Sequence, residues 1–176
     1  MRLETERLIL RKFVRPDLDA FYAYCQHPEV GPNAGWKPHE SIEESLKYLE
    51  MMMEGNEVLA IVDKISNKVI GSVGMHEDTM RNTKGVKMVG YVLAKEFWGK
   101  GMMTEAVKEV MRHAFEVEHL ELISVQHFAN NAKSKRVIEK LGFKSEGTIR
   151  YARKIFDDSI EDLVCYSLTR REWEQL

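Results

Sequence analysis

The sequence predicts an α/β domain built on a mixed sheet. Three observations carry that reading. Short apolar runs of strand length alternate with segments whose apolar residues recur at the spacing of one helical face. The chain then closes on two long strand-like runs, 145–154 and 160–168, with no helix between them, so one end of the sheet is antiparallel. In the middle, the apolar run Val89-Gly90-Tyr91-Val92-Leu93-Ala94 leads through a glycine-bearing turn into an amphipathic segment.

The 176 residues fit one domain, 1–176, long enough to bury a sizeable core. Apolar residues at 44% and charged residues at 31% describe an ordinary soluble protein, and a net charge of −2 gives no reason to expect nucleic acid as a partner. Cys25 and Cys165 are too few for a disulfide framework, and no histidine pairs with Cys or Asp at metal-ligand spacing. No run reaches membrane-spanning length and no signal peptide is visible, so a reducing cytoplasm is the expected compartment.

Taken in order, Leu8 to Val14 reads as the first strand. Pro16 and Asp17 open a helix with Leu18, Phe21, Tyr22 and Cys25 inward. His27 to His39 is a loop broken by Pro28, Gly31, Pro32, Gly35 and Pro38, with Trp36 at its centre. Trp36 either pins that loop or walls an acceptor pocket. Ser41 caps a second helix, with Glu44 at capping-box spacing and Ile42, Leu46, Leu49 and Met53 inward. Val58–Val62 and Val69–Met75 read as strands joined at Ser66-Asn67-Lys68, and Val86–Ala94 as the next strand. Ala106, Val107, Val110, Met111, Ala114 and Phe115 make one helical face. Leu122–Phe128 is a strand. Asn131 caps the helix that follows, with Val137, Ile138 and Leu141 inward and Gly142 ending it. Residues 169–176 form a short closing helix.

The chemistry centres on Phe97-Trp98-Gly99-Lys100-Gly101-Met102-Met103-Thr104-Glu105-Ala106. A turn into a helix leaves backbone N–H groups free near the positive end of the helix dipole. Gly99 and Gly101 let that backbone approach a ligand closely, and Lys100 adds positive charge. The turn is an anion cradle suited to a phosphate or pyrophosphate. It is neither a P-loop, because Lys100 precedes Gly101, nor a dinucleotide fingerprint, because Thr104 stands at the third glycine position.

The run from Gly90 to Ala106 resembles the acetyl-CoA-binding motif of GNAT N-acetyltransferases. It is most similar to the RimJ/RimL branch, which acetylates ribosomal-protein N-termini. Trp98 stands where that motif begins, and Met103 replaces the small residue expected at its end. Leu-Glu-Thr-Glu-Arg-Leu-Ile-Leu at the N-terminus, Asn131-x-x-Ser134 running on to Leu141-Gly142-Phe143, and Tyr166-Ser167-Leu168 resemble the same branch. The resemblance implies a central, mostly antiparallel sheet with two splayed parallel strands, flanked by helices. It implies that acetyl-CoA binds along Val92, Leu93, Trp98, Gly99, Lys100, Gly101, Met102, Met103, Thr104 and Asn131, without a metal. A bulge near Val92 and Leu93 is expected to aim backbone donors at the pantetheine arm.

The implied reaction moves an acetyl group directly to a primary amine. The Leu93 N–H is the candidate oxyanion donor and Ser134 the candidate partner of the leaving thiolate. An N-terminal α-amine deprotonates more easily than a lysine side chain, which favours a peptide or protein N-terminus as acceptor. Polyamines, antibiotics and amino acids are the alternative acceptors. A non-catalytic acetyl-CoA module and a nucleotide-binding protein are the alternative classes. Met88 occupies the position where the branch often carries a glutamate base, and His76 is the nearest titratable substitute. Trp36 and His76 are thus the candidate acceptor-side residues. A monomer or homodimer is expected.

Overall fold

The computed structural model describes all residues, 1–176. Its strands are β1 (Arg2–Glu4), β2 (Leu8–Arg11), β3 (Val58–Asp63), β4 (Lys68–Glu77), β5 (Val86–Leu93), β6 (Leu122–Phe128), β7 (Lys144–Lys154) and β8 (Ile160–Thr169). The helices are α1 (Leu18–Cys25), α2 (Ile42–Glu54), α3 (Met102–Glu116), α4 (Ala132–Lys140) and α5 (Arg170–Trp173). All strands join one sheet in the order β1-β2-β3-β4-β5-β6-β8-β7. Every pair is antiparallel except β5 with β6.

The first strand is shorter than expected, and a further strand precedes it. Thr5 turns the chain before β2: its N–H donates to Leu8 O at 3.0 Å, and its Oγ1 accepts from Leu8 N–H at 3.0 Å. The chain leaves the sheet after Arg11 because Asp17 gathers the next segment. Arg11 grips Asp17 through both carboxylate oxygens at 2.7 and 2.8 Å, and Val14 N–H donates to it at 2.9 Å. In α1 the deeply buried tyrosine is Tyr24, not Tyr22. Its ring meets Phe21 edge-on at 5.3 Å.

Ser41 caps α2 as expected, accepting from Glu44 N–H at 3.2 Å. The capping box stays open, because the Glu44 carboxylate accepts from the Glu40 N–H instead. Only Ser45 and Leu49 are fully buried in α2; Ile42, Leu46 and Met53 are half-buried at its rim.

Two cores lie on opposite faces of the sheet. The larger joins α3 and α4 to Leu8, Ile61, Ile70, Ile123 and Leu168. The smaller packs Phe21, Tyr24 and Leu49 against Ala60 and Val62. The inward face of α3 is the expected one, with Met102 and Met103 added. Each large apolar side chain so buried contributes about 1.5–3 kcal/mol, which fixes the rotation of α3 and therefore the aim of its first turn.

The sheet splits between its parallel strands. β5 and β6 pair only at Val86↔Leu122, Lys87↔Ile123 and Met88↔Ser124, although both strands run on. An ionic network built on the buried Asp78 sits where they part. Asp78 accepts from Ser124 Oγ and Arg81 Nη1, each at 2.6 Å, and Arg81 also pairs with Glu146. Glu146 in turn accepts from Ser167 at 2.7 Å. The network ties the segment after β4 to β6, β7 and β8. No bulge marks β5: its register with β4 is unbroken from Glu77↔Lys87 to Gly71↔Leu93. The split alone frees the strand edge.

Candidate active site in the split of the sheet

A cavity of about 650 Å³ occupies the split and is lined by 28 residues. Its walls are the diverging halves of β5 and β6, the turn into α3 and the first turns of α4.

Backbone alternation decides which β5 groups face it. Ala94 N–H donates to Ile70 O of β4 at 2.7 Å. In an antiparallel pair such bonding alternates, so Val92 and Gly90 also turn their backbone to β4. Val89, Tyr91 and Leu93 turn theirs toward β6, into the gap. Val92 therefore reaches the cavity only with its side chain, unlike the expected backbone donor. Trp98 Nε1 donates to Leu93 O at 2.7 Å, which closes the end of the exposed edge.

The turn into α3 has the geometry of a cradle. Gly99 and Gly101 hold φ values of +74° and +76°, which glycine adopts at little cost. The backbone N–H groups from Gly99 to Thr104 have no acceptor within the protein; the first bonded one is Glu105 N–H, to Gly101 O. Met103 does not crowd the cradle, because its side chain is 5% exposed and turned into the core.

An anchor that the sequence reading missed holds this turn. Glu105 accepts from Thr5 Oγ1 at 2.5 Å, from Arg7 N–H at 2.9 Å and from Arg7 Nε at 2.7 Å. Arg7 also donates to Lys100 O at 3.0 Å. Burial works to raise the Glu105 pKa, but the bonds from Thr5 and Arg7 outweigh it and hold the carboxyl below its usual range. The Thr-x-Arg of the N-terminal signature is the other half of the glycine turn.

Across the cavity, Asn131 Oδ1 caps α4 by accepting from Ser134 N–H at 3.1 Å, while its Nδ2 donates to Asn33 O at 3.0 Å. The amide thus ties α4 to the loop before α2. Tyr91 OH lies 2.8 Å from Ser134 Oγ, bridging β5 and α4. Burial pushes the Tyr91 phenol up to about 12, with the Ser134 hydrogen bond working the other way. Lys133, Arg136 and Lys140 line the cavity from one face of α4, with Lys133 Nζ 3.8 Å from the centre of the Trp98 ring. Their spacing of three and four was readable in the sequence; Tyr91 gave no signal beyond the Gly-Tyr pair.

Most of the predicted residues meet at this cavity. Leu93, Trp98, Gly99, Gly101 and Met102 line it, as do Met103, Thr104, Asn131 and Ser134. Lys100, Trp36 and His76 do not. The Lys100 ammonium lies over the Phe97 ring at 5.2 Å. Trp36 packs on His39 and fills the space beside Gly31, so it pins its loop while Asn33 and Ala34 reach the cavity. His76 does not line the cavity but, as the cross-strand partner of Met88, stands on the same sheet face as Met88 and Gly90, its ring beside Gly90 and its Nδ1 3.4 Å from Glu57. No group of three or more His, Cys, Asp or Glu could hold a metal ion, and no helix is long and apolar enough to cross a membrane.

Residues 7–144 match the model of the acetyltransferase (GNAT) domain. The chain belongs to the GNAT acetyltransferase family. The uncharacterized N-acetyltransferase p20 of Bacillus licheniformis is 30% identical over 176 residues, covering 97% of each chain. The [ribosomal protein uS5]-alanine N-acetyltransferase of Escherichia coli is 27% identical, covering 98% of this chain and 93% of its own. Among solved structures, a GNAT-family acetyltransferase from Bacillus anthracis superposes with a TM-score of 0.88 at 22% identity, over 98% of this chain and all of its own. Through that ribosomal-protein acetyltransferase the chain resembles the RimJ-like branch, and its split sheet is the mixed sheet of the GNAT fold.

Proposed function

We propose that this GNAT acetyltransferase moves an acetyl group from acetyl-CoA to the α-amine at the N-terminus of a peptide or protein. One observation carries the cofactor assignment: the unpaired edge of β5 runs directly into the free N–H groups of Gly99 to Thr104. Unpaired buried backbone is costly, and a chain of alternating amides along the edge would replace the lost strand. The residues present fit coenzyme A on those terms. The N–H cradle suits its pyrophosphate, and Lys133, Arg136 and Lys140 suit its phosphate charge.

Acetyl-CoA supplies an activated thioester. The Leu93 N–H, directed into the gap, stabilises the negative charge that develops on the carbonyl oxygen. Tyr91 OH and Ser134 Oγ are 2.8 Å apart; with the phenol as donor, the serine hydrogen is left free to donate to the departing sulfur. No carboxylate lines the cavity and His76 stands outside it; His127 does line it, buried, with Nδ1 2.7 Å from Phe128 O and Nε2 without a protein partner. In this reading the amine proton passes to water, and an α-amine, with a reference pKa near ~8, gives it up more readily than a lysine near ~10.4.

Mass spectrometry of peptides incubated with the protein and acetyl-CoA tests the assignment. Acetylation at free N-termini, with internal lysines unmodified, is expected. Modification confined to lysines or small amines would defeat it. Tight acetyl-CoA binding without any turnover would mark a binding module instead.

A further inference from the structure

The cavity crosses the sheet from one face to the other. On the side of α3 and α4 it is lined by Lys133, Arg136 and Lys140. On the opposite face its wall includes Phe128, Leu163 and Arg153. Cross-strand partners share a face: Phe128 pairs with Leu163, and Arg153 pairs with Glu161, two residues along β8 from Leu163. Arg153 therefore stands on the face away from α3 and α4, where an acceptor would enter.

Among the 28 lining residues there are four Lys or Arg and not one Asp or Glu. The three cations of α4 are matched by the phosphates of coenzyme A. Arg153 is left over, and it forms no ion pair even with Glu161 beside it. A polycationic acceptor would find no counter-charge anywhere on these walls, and would meet Arg153 at its entrance. We infer that the acceptor carries a carboxylate close to its amine, and that Arg153 binds this carboxylate and selects for it. Guanidinium and carboxylate match in plane and charge, so the contact orients the amine as well as attracting it. The inference rests on the α-amine acetyltransferase reading and narrows it. The carboxylate is either a side chain early in a peptide or the α-carboxylate of a free amino acid.

The test compares kcat/KM for peptides beginning Ala-Asp, Ala-Asn and Ala-Lys, together with free alanine and spermidine. Wild-type protein is expected to prefer Ala-Asp over Ala-Asn by about tenfold, with Ala-Lys and spermidine lowest. Arg153→Gln should bring Ala-Asp and Ala-Asn to within about twofold, at unchanged acetyl-CoA affinity, and Arg153→Glu should favour Ala-Lys. Arg153 is exposed, so neither change threatens the fold. Alanine outrunning Ala-Asn would assign the α-carboxylate as the bound group; Ala-Asp alone outrunning it would assign the side chain. Acetylation of α-amines without charge preference, or a preference that survives Arg153→Gln, overturns this inference and leaves the α-amine reading standing. Acetylation of spermidine alone overturns both. Should none of these acceptors turn over, calorimetry on the CoA-bound protein decides: N-acetylalanyl-aspartate must bind about tenfold tighter than N-acetylalanyl-asparagine, and equal or absent binding overturns it.

Discussion

Tyr91 and Ser134 act as one unit at the residue scale. Their hydroxyls are 2.8 Å apart, and the phenol, raised to about 12, stays protonated throughout the working range. With the phenol as donor, its proton orients Ser134 rather than protonating the thiolate. Tyr91→Phe is expected to lower kcat about tenfold with the acetyl-CoA dissociation constant unchanged, the loss of the hydrogen bond that aims Ser134 at the developing charge. Ser134→Ala should cost at least as much, and the double variant no more than Ser134→Ala alone. Additive losses in that cycle would separate the two residues. His76 gives the opposite expectation. It stands beside Gly90 but off the cavity wall, with Nδ1 toward Glu57, so His76→Ala should leave kcat/KM within about threefold and preserve the low-pH limb. A hundredfold loss with that limb abolished would make His76 the base.

Among the elements, the first turn of α3 depends on residues nearly a hundred positions away. Glu105 receives Thr5 and Arg7, and Arg7 holds Lys100 O, so the N-terminal segment sets the path of the glycine turn. This bears on how the cradle is tested. A side chain at Gly101 would begin 3.6 Å from Arg7 Nη2, which would neutralise part of any added carboxylate. Gly99 has nothing within 4 Å. Gly99→Glu is therefore the cleaner probe, and it should weaken acetyl-CoA binding by more than tenfold in calorimetry, roughly 1.4 kcal/mol or more. The φ of +74° adds about 1–2 kcal/mol of strain, which a thermal melt would register separately. Unchanged affinity in a folded variant would take the turn out of the cofactor site.

For the whole molecule, the Asp78–Arg81–Glu146 network ties the segment after β4 to β6, β7 and β8 at the point where the split begins. The Asp78 side chain is 1% exposed. Burial works to raise its pKa, yet hydrogen bonds from Ser124, Arg81 and Met80 N–H hold it below the usual range. A carboxyl depressed in the folded state stabilises fully above its unfolded pKa, near ~3.9, and loses that contribution as the pH falls through its folded value. Stability should accordingly decline below about pH 4, and Asp78→Ala should abolish this part of the decline while costing about 3 kcal/mol at neutral pH. Urea titrations of both proteins across that range would check it. An unchanged acid limb in the variant would assign the decline to other carboxylates.

Much of this was legible in the chain itself, and for local reasons. Periodicity located α3 and its face, Asn131 and Gly142 bounded α4, and paired glycines marked the cradle, because each signal lies within a few residues of what it specifies. The rest depends on pairs distant in sequence. Nothing local separates Leu8–Val14 as one strand from β2 ending at Arg11, since Asp17 decides that by gathering Arg11 and Val14. Tyr91 and Ser134 are 43 positions apart and meet only because β5 and β6 diverge and α4 closes over the gap. Trp36 was expected from its place in the acceptor-side loop and His76 as the titratable group nearest Met88, yet packing turned one into its own loop and set the other beside Gly90, off the cavity wall. The sequence by itself determined the order of elements from Leu8 onward and the anion-binding turn, because helix period, caps and glycine turns are local, and its motifs carried the resemblance to the family. Only the tertiary structure decided which edge of β5 is free, what holds the glycine turn and which charges line the cavity, because strand register and long-range ion pairs arise when remote segments share one sheet.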